Sequence, residues 1–186
     1  MFRMGAVAGV LALLCACQQE RVDGVGAEIE RQEAEVASAR ADAQALVDGC
    51  IARNAQDQGV MITPSGLRYI ILNPGDAAAP KPRPVDIVQV RYAGALMDGK
   101  MFDTSYGRDE PVKFPLNGVI AGWTEGLQLV HPGAEVCLII PPDIAYGARG
   151  APPDIPPEAT LAFHIRFDGM RQIQGSNPVF GTFAAD

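Results

Sequence analysis

The chain is short of histidine, with two in 186 residues, His131 and His164. Only four cysteines stand beside them, so a multi-ligand zinc site would be hard to assemble. Neither histidine lies in a recognisable nucleophile or metal motif. His131 precedes Pro132 in a turn, and His164 falls on the outward phase of an alternating strand, where a surface role is expected. A hydrolase would lack its base. No glycine-rich phosphate loop precedes a helix. Basic residues are also scarce, 15 against 22 acidic for a formal charge of -7, which excludes nucleic acid as a natural partner. Proline is missing before Pro64, yet 14 of the 15 prolines fall between Pro64 and Pro157, so the two parts differ in character. With 48% hydrophobic and 20% charged residues, the chain suits one globular domain plus a smaller segment and is not a disordered one.

The proline-free front opens with Arg3 and the apolar run Met4–Leu14. A spanning helix needs about 20 apolar residues, so this run reads as a secretory signal over residues 1–16. Its end, Leu14-Cys15-Ala16-Cys17, resembles a bacterial lipobox, which implies lipidation of Cys17 and a membrane anchor. Gln18, not Asp, follows, and by the same resemblance this implies sorting to the outer membrane, facing the periplasm. In that compartment Cys50 and Cys137 form an even pair. Three arrangements stay open: a Cys50–Cys137 bond, Cys50 paired between copies, or two buried free thiols.

Residues 17–60 read as a helical spacer rich in alanine and glutamate. Ile29, Val36, Ala43 and Cys50 recur every seven residues, but Gln32 and Arg53 thin the seam. A weak helix-pair homodimer is one outcome, and a solvated spacer is the preferred one. Gly59 and Thr63-Pro64-Ser65-Gly66 mark the boundary with residues 61–172, beyond which 173–186 form a tail.

In the main domain the period becomes alternating. Val88, Val90 and Tyr92, and later Leu161, Phe163, Ile165 and Phe167, alternate with mostly polar residues and predict antiparallel strands with one wet face. Leu67–Leu72 and Glu135–Ile140 are further strands. Trp123–Val130 is the one short helix. The expected class is α+β: an antiparallel sheet wrapped around a short helix, preceded by the N-terminal helical segment.

Four blocks then carry a family likeness. They are Val90-Arg-Tyr-Ala-Gly94 through Asp98-Gly-Lys-Met-Phe-Asp-Thr-Ser105; Phe114-Pro-Leu-Asn-Gly-Val-Ile-Ala-Gly-Trp-Thr-Glu-Gly-Leu127; Ala145-Tyr-Gly-Ala-Arg-Gly150; and Ile155-Pro-Pro-Glu-Ala-Thr-Leu-Ala-Phe163. In order and spacing they resemble an FKBP-type peptidyl-prolyl cis-trans isomerase. The Thr63–Leu67 lead-in is similar to the macrophage-infectivity-potentiator-like bacterial branch.

The resemblance implies rotation about Xaa–Pro bonds of envelope or secreted proteins, assisting their folding, with no cofactor or metal. The alternative it leaves is a client-binding chaperone of the same fold with little turnover. It implies Trp123 as the floor of a proline slot, with Tyr92, Phe102, Phe114 and Phe163 as walls. Val119 and Ile120 would line the entrance, Tyr146 would offer its hydroxyl, and Asp103, paired with Arg108, would sit at the rim. Ile155 would cap the slot. Macrolide inhibitors, which many members bind there, are implied as ligands beside proline-containing clients. Val112, Ala151 and Asp154 depart from common family residues, which points to altered substrate preference and not to loss of activity.

Overall fold

The computed structural model describes residues 8–173, with side chains from residue 25 onward. The proposed signal and lipidated Cys17, and all but residue 173 of the tail, lie outside the residues whose side chains are described. Helix α1 (Ala8–Ala55) is followed by strands β1 (Met61–Ile62), β2 (Arg68–Asn73), β3 (Ile87–Leu96), β4 (Met101–Thr104) and β5 (Val112–Pro115). Helix α2 (Ala121–Leu127) and strands β6 (Glu135–Ile140) and β7 (Leu161–Arg171) complete the order. Among the described residues no helix is long and apolar enough to cross a membrane.

All strand pairs are antiparallel, in the order β1-β2-β6-β7-β3-β4, with β5 pairing β3 beside β4. The α+β class expected from the sequence is the one observed. The alternating residues of β3 and β7 send Val88, Val90, Tyr92, Leu161, Phe163, Ile165 and Phe167 to one inner face, where they bury against α2. That helix lies close because its facing residues are Gly122 and Gly126. A Cβ on Gly122 would fall on Ile140 Cγ2, and one on Gly126 would lie 2.7 Å from Leu138 Cδ1. Thr124 Oγ1 donates to Leu116 O at 2.7 Å, and Ser65 Oγ to Glu125 Oε2 at 2.6 Å, fixing the helix at both flanks.

The outer face is wet only toward Arg166 and Asp168, which are exposed, and at its other end the structure corrects the reading. The last turns of α1 dock on it: Ala43 and Val47 bury against Ala93, Ala95, Ile139 and Ala162. Burial along β3 alternates up to Tyr92 and is then continuous to Ala95, where the helix covers the strand. The spacer is thus solvated on all sides only toward its start, where Ile29 and Val36 are half exposed, and its last turns keep an exposed outward side. Cys50 and Cys137 are joined by a disulfide across a sequence separation of 87 residues. In the chain-entropy picture, closing such a loop stabilises the fold by about 4–5 kcal/mol. The bond lies within one chain, so Cys50 is not available to a second copy.

His164 is correspondingly buried, 1% exposed, and not on a wet face. It pairs opposite Cys137, with Nε2 2.7 Å from Glu135 Oε1 and Nδ1 3.3 Å from Tyr106 Oη. Burial lowers its pKa, and Glu135 opposes that shift only in part. Folding therefore favours the neutral imidazole, and unfolding takes up a proton below the ordinary pKa of 6.5. This contribution is complete above that value and is lost as pH falls through it. Thermal melts between about pH 7.5 and 5 should show falling stability, and His164→Gln should flatten the part of that slope due to the imidazole.

Candidate functional site

A cavity of about 470 Å³ opens on the inner face beside α2. It is lined by Tyr92, Phe102, Asp103, Phe114, Gly118, Val119, Ile120, Trp123, Tyr146 and Phe163. Trp123, on the first turn of α2, forms the floor because it is held edge-on by three rings. Tyr92, Phe163 and Phe114 stand at 5.2, 5.2 and 6.0 Å from it, with interplanar angles of 84°, 85° and 87°. Phe102 extends the wall through an edge contact with Phe163 at 5.6 Å. Edge-to-face contacts of this kind favour one relative orientation, each by about 0.5–1.5 kcal/mol beyond area burial. Trp123 Nε1 is the one buried side-chain polar atom without a partner among the described residues.

The polar groups gather on the rim. Tyr92 Oη donates to Asp103 Oδ2 at 2.5 Å, and Arg108 Nη2 lies 4.0 Å from Asp103 Oδ1. Burial, then the hydrogen bond to the Asp103 carboxylate, push the Tyr92 phenol above its ordinary pKa, so it remains a donor. The backbone of Tyr92 is locked in turn. Its N–H donates to Ser105 Oγ at 2.8 Å, and its carbonyl accepts from Thr104 Oγ1 and from the Ser105 N–H, each at 2.9 Å. Residues 104 and 105 thereby set where the phenol meets Asp103. Val119 and Ile120 are extended as the chain enters α2, and the Ile120 N–H has no acceptor among the described residues. Tyr146 is 43% exposed, with its hydroxyl likewise unpaired among them.

Nine of the expected site residues thus line one cavity. Ile155 and Arg108 do not. Ile155 is buried in the inner core, and Arg108 reaches the site only through Asp103. Two glycines escaped the reading. Gly118 lines the cavity. Gly94 lets the walls close, since a Cβ there would lie 2.6 Å from Phe163 and 2.9 Å from Phe102. The signal for Gly94 was its place on the inward phase of β3, where a side chain would otherwise fill the slot. No cluster of potential metal ligands exists among the described residues.

An aromatic floor and walls with a short polar rim suit a compact apolar ring bearing amide groups on either side. The comparisons agree with that class. Residues 79–168 match the family described as FKBP-type peptidyl-prolyl cis-trans isomerase. The chain belongs to this family, in the branch that includes FkpA and MIP-type proteins. It is 48% identical over 111 residues to the FKBP-type peptidyl-prolyl cis-trans isomerase FkpA of Escherichia coli (strain K12), covering 60% of this chain and 40% of that one. It is 38% identical over 125 residues to the outer membrane protein MIP of Legionella longbeachae, covering 67% and 53%. The crystal structure of FkpA from Escherichia coli superposes with a TM-score of 0.60 at 33% identity, covering 91% of this chain and 75% of that one. The chain spans about half the length of the curated relatives it matches, or somewhat less.

Gly94→Ala should drive Phe102 and Phe163 apart or into the cavity and destabilise the fold by about 1–3 kcal/mol. Urea denaturation, read against wild type, measures that loss.

Proposed function

We propose that the chain is a peptidyl-prolyl cis-trans isomerase acting on Xaa–Pro bonds of envelope or secreted proteins. The observation that carries this reading is the Trp123-floored cavity with Asp103 and Tyr146 at its rim, in a chain of this family. The reaction is a rotation with a barrier of roughly 18–20 kcal/mol, and uncatalysed exchange takes roughly tens to hundreds of seconds. No bond breaks, so no nucleophile, cofactor or metal takes part. The planar amide is the more charge-separated form, and moving it from water into an aromatic slot favours the twisted form.

Each residue then has a physical task. Trp123, with Phe114 and Phe163, holds the proline ring and excludes water from it. The Ile120 N–H and the Tyr146 hydroxyl, both without partners among the described residues, bond the substrate backbone on either side of the proline. Asp103 faces the rotating carbonyl, with Tyr92 and Arg108 fixing its orientation. Phe102 closes the wall next to it, while Val119 shields the entrance. A macrolide would compete for the same slot.

The location we infer is outside the cytoplasm, with Cys17 lipidated at the outer membrane. Support comes from the Leu14-Cys15-Ala16-Cys17 pattern, from a cysteine pair bonded within the fold, and from a relative named as an outer membrane protein. The helix face bearing Val25, Ile29 and Val36 is open to solvent, and a non-covalent pairing of two copies would form there.

An exchange or protease-coupled assay of Xaa–Pro peptides tests the activity. The triple variant Trp123→Ala, Asp103→Ala, Tyr146→Ala should lose at least about 100-fold in kcat/KM, or about 2.7 kcal/mol of transition-state preference. A wild type no faster than that variant overturns the reading. Labelling with radioactive fatty acid tests the anchor: wild type should take up label, and a Cys17→Ser variant that still does so removes Cys17 from the proposal.

A further inference from the structure

Two of the proposed site residues, Phe102 and Asp103, ride on a short edge strand of the sheet. β4 has four residues, ends the strand order, and hydrogen-bonds only to β3, with a register shift between Gly94 and Ala95. An edge strand bonded on one side opens readily unless something else holds it. In this chain something does, on the face turned away from the slot.

At the start of β4, the Gln44 amide of α1 donates to Gly99 O in the β3–β4 turn at 2.8 Å. The same nitrogen donates to Asp48 Oδ1, one helical turn on, at 2.9 Å, so the amide is oriented by its own helix. Gly99 has φ +89°, and a Cβ there would stand 3.4 Å from Asp48 Oδ1, so the turn lies directly against the helix. At the end of β4, Gly107 has φ +86°, and a Cβ on it would be 3.5 Å from Ala39 Cβ. Its neighbours complete the link: Tyr106 stands against the buried His164, and Arg108 faces Asp103. Met101 and Tyr106 pack on the same cluster as Ala43 and Val47. α1 therefore touches both turns that flank β4, and it is itself fixed to β6 by the Cys50–Cys137 bond.

We infer that Gln44 is a positioning residue of the isomerase site, and that α1, clamped by the disulfide, sets the placement of Phe102 and Asp103 from behind the sheet. The inference rests on the isomerase reading of that site. Gln44 touches no substrate. It acts on the reaction by holding the β3–β4 turn, and the floor built from Trp123, Phe114 and Phe163 stands without it. Losing it should lower turnover more than it weakens the grip on proline, because small displacements of reacting groups cost rate steeply.

The test uses the full disulfide-bonded chain and a chromogenic Xaa–Pro tetrapeptide, with kcat and KM measured well below the thermal midpoint. Gln44→Ala keeps a strong helix former at the position. It should lower kcat by about 3- to 10-fold with KM within about twofold. Gln44→Glu, isosteric but without the donor, should behave like alanine. Gln44→Lys, which can still donate to Gly99 O and Asp48, should restore turnover. Dithiothreitol on wild type should reproduce the alanine effect, and on Gln44→Ala it should add little. A Gln44→Ala enzyme with wild-type kcat overturns the inference, as does failure of the lysine variant to recover it. Amide hydrogen exchange gives a readout independent of turnover: residues 101–104 should exchange about tenfold faster in Gln44→Ala, and unchanged protection overturns the positioning role. An inactive wild type whose residues 101–104 still respond to Gln44→Ala would instead remove the isomerase reading.

Discussion

The distance between α2 and β6 governs the rest of this structure. Gly122 and Gly126 leave no side chain between helix and sheet, and Ile140 and Leu138 fill the place where Cβ atoms would stand. A helix that close can present Trp123, which lies between the two glycines in sequence, to the curved inner face. There Tyr92, Phe114 and Phe163 meet its edges. Were the helix held off by alanine side chains, those ring contacts would open and the floor of the cavity would tilt. The slot is thus a product of backbone approach as much as of aromatic content.

The sheet works with both faces. Its inner face offers large rings, and the outer face offers small residues, Ala93, Ala95 and Ala162, against which α1 lies. The two are joined where β3 meets β4. Tyr92 sits on β3, with its backbone locked by Thr104 and Ser105 and its phenol on Asp103. A reaction that breaks no bond draws its rate from desolvation and placement, and placement here involves a helix that does not reach the cavity.

Much of the candidate site was legible because four blocks of the chain resemble one family in order and spacing. Without those blocks, a single tryptophan in a glycine-flanked helix and aromatic residues on the inward phase of two strands read as plain core, and an aspartate just before Thr104 and Ser105 reads as a turn cap. The helix-covered end of the outer face carries no such signal. Alanine at 93, 95 and 162 is neither polar enough to mark solvent nor large enough to mark a core, and it was passed over beside Gln89, Arg91 and Arg166. Small residues at successive outward positions are in fact what a helix needs in order to lie close. The matching stripe on α1, Ala43 and Cys50, had been credited to a heptad seam. His164 followed from the same error: periodicity gave its side of the sheet correctly, and tertiary packing decided that its end of that side was dry.

The separation of the two bonded cysteines also bears on how the molecule comes into being. Synthesis runs from the N-terminus at about 5–20 residues per second. Cys50 therefore precedes Cys137, 87 residues later, by several seconds. In that interval α1 lacks two of the three strands it lies on, because β6 and β7, which carry Ile139 and Ala162, do not yet exist. Its small-residue stripe and a free thiol stay open to whatever else is folding nearby. The helix is made first and settled last, so this chain passes through the same exposed condition as the polypeptides it is proposed to serve.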